Sequence, residues 1–553
     1  MRLGAGAHRR PRRAGVPPRR PRGRADDLRT GRLQRGRGGR ARRAGSRRRA
    51  RRLVDDRRGL TRARVLARRL DVAPDLGALA AATTSDVVWL DSGLPEGAPE
   101  AARGRARWSL LAHTDGPFAT RFRHEDRRAV LDVPPAARRW FGTSRSEDRP
   151  AFAVLDDLLT RTPLLDAPVP GCGFALGWVG FLGYELGRES GGPDRTAAHA
   201  DADLRFADRA LVVHADGRAW ALALVADDEP TASAANRAWL AGPHTGRPPA
   251  DVPDGAAGLQ TVADGRVSRD AYEAAVEACR AEIREGNAFQ VCLTTAFAVG
   301  ASGREAPLPP ATDPHLVEYL RLRRADPVPF GAWLRLGPLR VASRSPERFL
   351  QVDADGTVVA EPIKGTRPRD TDPGRDAAAR AALAASAKDR AENVMIVDLL
   401  RNDLLRTAVP GSVHVERLCD VETYATVHQL VSTVSAALPA GASRAALVRA
   451  AFPPGSMTGA PKTSAMAIAD RLEGAPRGVY SGVVGYFSAD GSVDLSVAIR
   501  TLVTVLDDRG AERSRTFGAG GAVTWSSVAS DEADEVETKT RSVFGALGIT
   551  ASW

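Results

Sequence analysis

The chain has 553 residues, 43% hydrophobic and 26% charged, with a formal net charge of +12. That length predicts about three to four domain-sized units with a sizeable core and excludes a stapled miniprotein. Cys172, Cys279, Cys292 and Cys419 form no CxxC pair and no disulfide framework, which fits a reducing cytoplasm, and no apolar run reaches the roughly 18 residues of a membrane helix.

The charge is uneven. The first 70 residues hold 27 Arg against Asp26, Asp27, Asp55 and Asp56, so the remainder is net acidic. Residues 1–60 are mostly Arg, Gly, Pro and Ala, too poor in large apolar side chains to offset their chain entropy, and are expected to be disordered. They lack the apolar stretch of a signal peptide. An Arg-rich arm is the one feature of a nucleic-acid-binding protein here. It carries no aromatics for base stacking, so an extension without a selected role is preferred.

Order is expected to begin between Thr61 and Ser85. Val87–Ser92, Trp108–Ala112, Phe174–Gly187 and Arg209–Ala226 read as sheet, the last a hairpin turning at Asp216 and Gly217. Residues 241–264 read as a linker. Ser268 is a plausible cap for a helix whose Tyr272, Val276, Cys279 and Ile283 share one face and which Gly286 ends. In the strand that follows, Phe289, Val291 and Leu293 point one way and Gln290, Cys292 and Thr294 the other. Later strands and helices alternate without a simple βαβ repeat, which predicts an α+β fold divided into 1–60, 61–264 and 265–553.

Three features look chemical. Only four lysines occur, Lys364, Lys388, Lys462 and Lys539, and a lysine, unlike the far commoner arginine, can shed its proton and act as a nucleophile. Lys388 suits a solvated site. Lys364 follows the strand-like VVAE and precedes Gly365, so it can project into a cavity. On a C-terminal helix, Glu532, Glu535 and Lys539 fall within about 60° of one another and beside the apolar stripe of Val536, Val543 and Leu547. Acids there need a divalent metal or a buried cation, unless the first turn is simply exposed. Glu392 begins a second apolar helix, and the glycine-rich Phe517–Val523 follows Arg500, which could grip a carboxylate. GSMTGAPK is glycine-rich but lacks the order of a P-loop, and Cys172 in GCG reads as a core cysteine rather than a nucleophile.

SRSPERF, EPIKGTRPR, AENVMIVDLLRND, TYATVHQLVS, PGSMTGAPK, YSGVVGYF, AIRT, FGAGGAV and an ExxExxxK helix follow one another in this order. On these nine motifs the chain resembles the chorismate-utilising enzyme family, from about Ser85 onward and most strongly after Ser268. The resemblance implies an α+β fold of two facing β-sheets in a sandwich surrounded by helices, with chorismate bound together with Mg²⁺. It implies Glu392 and Glu535 as metal ligands with Glu532 beside them. Arg500, Tyr480 and the backbone of Gly520 and Gly521 would hold substrate carboxylates, Thr366 and His428 would line the ring site, and Lys539 would face the substrate.

Two positions separate the branches of that family. Isochorismate and salicylate synthases carry a lysine base where this chain has Gln290, and anthranilate synthases have Ala where this chain has Lys364. The resemblance therefore implies the transferase branch that makes 4-amino-4-deoxychorismate for para-aminobenzoate, folate or a specialised metabolite, with anthranilate synthesis as the alternative. Lys364 would attack C2 with Glu347 as general acid, and ammonia would displace it. No glutaminase motif is present, so a separate glutamine amidotransferase subunit is the implied partner.

Overall fold

Runs of Val, Leu, Ala and aromatic residues alternating with polar ones favour strands, and in the computed structural model two large, almost wholly antiparallel sheets carry the chain. The structure describes residues 63–94, 104–245, 261–300, 313–424 and 427–553. The chain divides into residues 1–49 and 50–553. The Arg-rich segment 1–60, and 246–260 of the expected linker, lie outside the described residues.

One sheet starts with Ala63–Leu70 and takes Ala219–Ala226, Arg209–His214, Trp108–His113 and Val87–Asp91 from the N-terminal half. It continues through Phe330–Leu336, Leu339–Ser345, Thr501–Leu506, Glu512–Thr524, Gln290–Val299 and Thr261–Gly265 to Ile549–Ser552. The other runs from Ile363–Pro368 through Val427–Ala437, Thr357–Ala360, Arg348–Val352, Val493–Val497 and Val483–Ser488, and then into N-terminal strands beginning with Gly177–Leu182. Both sheets thus take strands from either side of residue 264. Neighbours run antiparallel except Thr261–Gly265 beside Ile549–Ser552.

Leu110, Val212 and Leu334 of the first sheet share one buried cluster with Phe122, Trp178, Leu350 and Val484 of the second, so the main core lies between the sheets. On the outer face of the first sheet a second cluster joins Leu293, Phe517 and Trp333 to Tyr272, Val276, Ile468, Val536 and Phe544 of covering helices. This is the expected α+β sandwich wrapped by helices.

Ser268 caps the helix Arg269–Arg284 by accepting from the N–H of Ala271, and Tyr272, Val276 and Cys279 are its buried face. Three expectations change. Within 174–187 only Gly177–Leu182 is strand, because Tyr184–Ser190 turns into a 3₁₀ helix whose Glu185 accepts the N–H groups of Arg477 and Gly478. Thr261–Gly265, placed in the linker, pairs with two strands. Phe289 falls just outside the strand and is exposed, whereas Val291 and Leu293 are buried.

Between the sheets lies a cavity of about 230 Å³ lined by residues that include Asp91, Ser92, Arg105, Arg348 and Tyr486. Cys172 lines it too. Its thiol is buried and pushed up to about 12 by that burial, which suits a core residue and not a nucleophile.

Candidate active site

Chain crossings bring the chemical residues together. At Pro346 and Glu347 the chain passes from Leu339–Ser345 in the first sheet to Arg348–Val352 in the second, and the N–H of Glu347 donates to Ser345 Oγ (3.2 Å). Arg348, bonded to Glu361 and Asp494, anchors the far side. Burial pushes the Glu347 carboxyl up to about 7, although Lys364 and Lys539 pull it down.

Lys364 lies on Ile363–Pro368, whose pairing with Val427–Ala437 is interrupted by a bulge between Ile363 and Thr366. Gly365 has φ +80°, and a Cβ there would stand 2.9 Å from Asp389, so glycine is required both by conformation and by space. Such a bulge re-aims a side chain away from the regular pleat. The Lys364 ammonium bears electrostatically on Glu347, Glu392, Glu535 and Cys292 at once. Among the described residues, Lys388, Lys462 and Lys539 each pair with a carboxylate, and Lys364 does not.

Two helices supply the acids. Ser386 caps Ala387–Leu405, which buries Glu392, and Ala529–Leu547 buries Glu532. Burial, reinforced by Glu535 and Glu532, raises Glu392 to about 7 against the pull of Lys364 and Lys388. Lys539, 2.7 Å away, lowers Glu535 although burial opposes it. Ser527 Oγ donates to Glu532 Oε1 (2.7 Å), Lys388 Nζ lies 3.3 Å from the same oxygen, and Glu532 Oε2 is buried without a partner.

Gly520 and Gly521 are not in a loop. Phe517–Val523 is strand interior, paired in register with Gln290–Val299, with Gly521 opposite Leu293 and Gly520 opposite Thr294. Pairing on the other edge, with Thr501–Leu506, stops at Phe517. That leaves one edge of the glycine run without a strand, and Lys539 Nζ donates to the Gly520 carbonyl (2.6 Å). A Cβ on Gly521 would stand 2.7 Å from Glu532 Oε2. Gly521→Ala is therefore expected to displace Glu532 and lower turnover by about 10²-fold, the cost of a misplacement near 1 Å. Steady-state kinetics alongside circular dichroism checks this, and unchanged kcat would exclude Glu532 from the site.

Gln290 is fully buried with both amide atoms unpartnered, at the edge of the cluster. Tyr480 is buried against Gly518, where a Cβ would clash with its ring. Thr366 lies on the Lys364 strand opposite Gln429. Arg500, at φ +51°, is 3.7 Å from Asp326 at one end of the glycine-rich strand's neighbour. His428 is buried with Nδ1 on Thr423 (2.8 Å) and Nε2 on Asp376 (3.0 Å), so its ring faces those groups.

Several supports were not singled out from sequence. Lys388, exposed as expected, also pairs with Glu532, and its position four residues before Glu392 was the available signal. Glu473 and Arg477, also four apart, brace the Gln290 strand from behind: Arg477 donates to Cys292 O and Met457 O, and Glu473 accepts from the N–H of Thr294. Lys462, half-buried, donates to Asp403 and the carbonyls of Ala451 and Pro453, tying the Glu392 helix to the GSMTGAPK loop.

The three glutamates do not converge on one point, and among the described residues no three His, Cys, Asp or Glu side chains are grouped as ready ligands. Lysines take two of them instead. The donors nevertheless fit a hard divalent cation: they are carboxylate oxygens, Glu532 Oε2 is an orphan, and Glu392 is pushed up by burial first and by Glu535 and Glu532 in addition.

The chain is 42% identical to an aminodeoxychorismate synthase of Streptomyces pristinaespiralis over 88% of its own length and 66% of that protein. It is 36% identical to aminodeoxychorismate synthase component 1 of Escherichia coli, over 72% of this chain and 85% of that one. The chain spans about two thirds or less of the curated Streptomyces relatives it matches. Anthranilate synthase component I from Streptococcus pneumoniae superposes with a TM-score of 0.63 at 25% identity, covering 79% of this chain and 92% of that structure. Residues 122–545 match the chorismate binding enzyme family, and with a site built from the motifs of that family the chain belongs to it.

Proposed function

We propose that the chain converts chorismate and ammonia to 4-amino-4-deoxychorismate and water, with Lys364 as a covalent nucleophile. The observation that carries this reading is a lysine without a carboxylate partner set among Glu347, Glu392 and Glu535. The Lys364 amine, in its neutral form, bonds to C2, both ring double bonds shift (C1=C2 to C1=C6 and C5=C6 to C4=C5), and the C4–O bond breaks. Glu347, protonated up to about pH 7, gives its proton to the departing hydroxide. Ammonia then bonds to C4, the C2–N bond breaks to restore the lysine amine, and the proton shed by the new ammonium returns to Glu347. Gln290, in place of a lysine base, leaves water at C2 unactivated.

Glu392, Glu532 and Glu535 would hold Mg²⁺, which when bound neutralises substrate carboxylate charge. Glu392→Gln is expected to raise the Mg²⁺ needed for half-maximal turnover by at least about tenfold and to shrink the Mg²⁺-induced rise in Tm. Equal Mg²⁺ responses in both assays would remove Glu392 from the ligand set. The four buried cysteines suit the reducing cytoplasm, and no described helix is long and apolar enough to cross a membrane. Relatives named component 1 support a glutamine amidotransferase as the ammonia source.

The test is mass-spectrometric identification of the product formed from chorismate, Mg²⁺ and ammonium near neutral pH. An aminated product that retains its enolpyruvyl group is expected. Anthranilate, the alternative favoured by the Streptococcus pneumoniae likeness, would sink the Lys364 assignment.

A further inference from the structure

One side chain from the N-terminal half of the chain joins the segments that carry the catalytic groups. Arg105 stands just ahead of the strand Trp108–His113. Its Nε lies 2.9 Å from Glu361 Oε1, and it donates to both oxygens of Glu422, Nη1 to Oε2 (2.6 Å) and Nη2 to Oε1 (2.7 Å). Arg348 Nη1 donates to the other Glu361 oxygen (2.9 Å), and its Nη2 to the Arg105 carbonyl (3.2 Å). The side chains of Arg105, Arg348, Glu361 and Glu422 are each 10% exposed or less. Arg417 on Glu422 and Asp494 on Arg348 complete the network, so three guanidinium groups meet three carboxylates.

The partners matter for where they stand in the chain. Arg348 directly follows Glu347, and Glu361 and Pro362 lead straight into the Lys364 strand Ile363–Pro368. Glu422 precedes Thr423, whose hydroxyl holds His428 Nδ1 (2.8 Å). A single guanidinium therefore ties together the neighbours of the acid, the nucleophile and a ring-site residue. A buried ion network adds little stability over well-packed apolar residues, and losing one member leaves an uncompensated charge. What such a network supplies here is geometry, because the rigid fork of arginine meets two carboxylates at once and lysine, a point charge, does not. Resting on the amination reading, we propose that Arg105, through Glu361 and Arg348, is a positioning residue that fixes where Lys364 and Glu347 stand relative to each other.

The test compares ammonium-dependent amination of chorismate by the parent, Glu361→Gln and Arg105→Lys. Arg205→Lys is the control for a weakened buried ion network, since its partners Asp86 and Asp203 lead into no catalytic segment. Glu361→Gln and Arg105→Lys are each expected to lose about tenfold or more in kcat with the chorismate KM within about twofold, as a misplaced nucleophile and acid require. Arg205→Lys should keep kcat within about twofold. Parental kcat in both site variants would overturn the proposal, and so would an equal loss in all three, which would reduce the network to stability alone. A second readout needs no turnover: mass spectrometry follows the rate at which Lys364 is acetylated by acetic anhydride. That rate is expected to change at least about threefold in Glu361→Gln, because the carboxylates around the amine set how readily it sheds its proton. Unaltered labelling of Lys364 would overturn the proposal, whereas failure of the parent to aminate chorismate would defeat the amination reading.

Discussion

Replacing Lys364 by alanine is expected to lower formation of 4-amino-4-deoxychorismate by roughly 10³-fold or more, the scale on which removal of a covalent nucleophile is felt. That corresponds to about 4 kcal/mol of transition-state stabilisation. Without the amine, ammonia has no C2 adduct to displace and its remaining route is direct addition at C2. The residual product should therefore shift toward the C2-amino series, as mass spectrometry would reveal. The fold should survive, because Lys364 forms no ion pair among the described residues. The bulge that aims it depends on Gly365 rather than on the lysine. An unchanged rate and product would mean that the lysine only balances the charge of Glu347, Glu392 and Glu535.

Glu347→Gln is expected to cost about 10²- to 10⁴-fold in kcat, since the C4 hydroxyl would leave without a proton donor. The pH dependence distinguishes this from a packing defect. Burial raises the Glu347 carboxyl from near 4.5 to about 7, so the parent should lose its acid-dependent step as pH rises through about 7, and the variant should lack that limb. Stability follows the same sign. Between those values the folded chain holds a proton at Glu347 that the unfolded chain has released. Its contribution is complete below about pH 4.5 and is lost as pH rises through about 7. The Tm of the parent relative to Glu347→Gln should therefore fall between about pH 5 and pH 8. A constant difference across that range would show that Glu347 titrates normally and cannot be the acid.

Much of this site was legible before any coordinates. Ser268 as a cap, the buried face of Tyr272, Val276 and Cys279, and the hairpin at Asp216 and Gly217 are local, because capping and turn chemistry depend on neighbours within a few residues. Glu532, Glu535 and Lys539 could be placed on one side of a helix from their spacing, and Lys364 stood out because lysine is so rare here. Composition alone does not place glycines inside a strand: Phe517–Val523 is strand, and its small residues make room for Glu532 and Tyr480. Lys388 is solvated as read, with a side chain 45% exposed, yet nothing near it in sequence revealed that Glu532, on another helix, comes within 3.3 Å.

By itself the sequence determined most of the secondary elements and amphipathic faces and singled out Lys364, Glu392, Glu532, Glu535 and Lys539, since these depend on side-chain chemistry and short-range periodicity, whereas Glu347 was implied only by the family's motifs. Only the tertiary structure decided which faces meet. Strands from both halves of the chain enter both sheets, the crossing at Glu347 and the bulge at Lys364 aim those side chains, and the helices of Glu392 and Glu532 close on them. Those meetings depend on burying apolar surface between segments far apart in the chain. The shifts that make Glu347 and Glu392 acids near neutrality arise from the same burial.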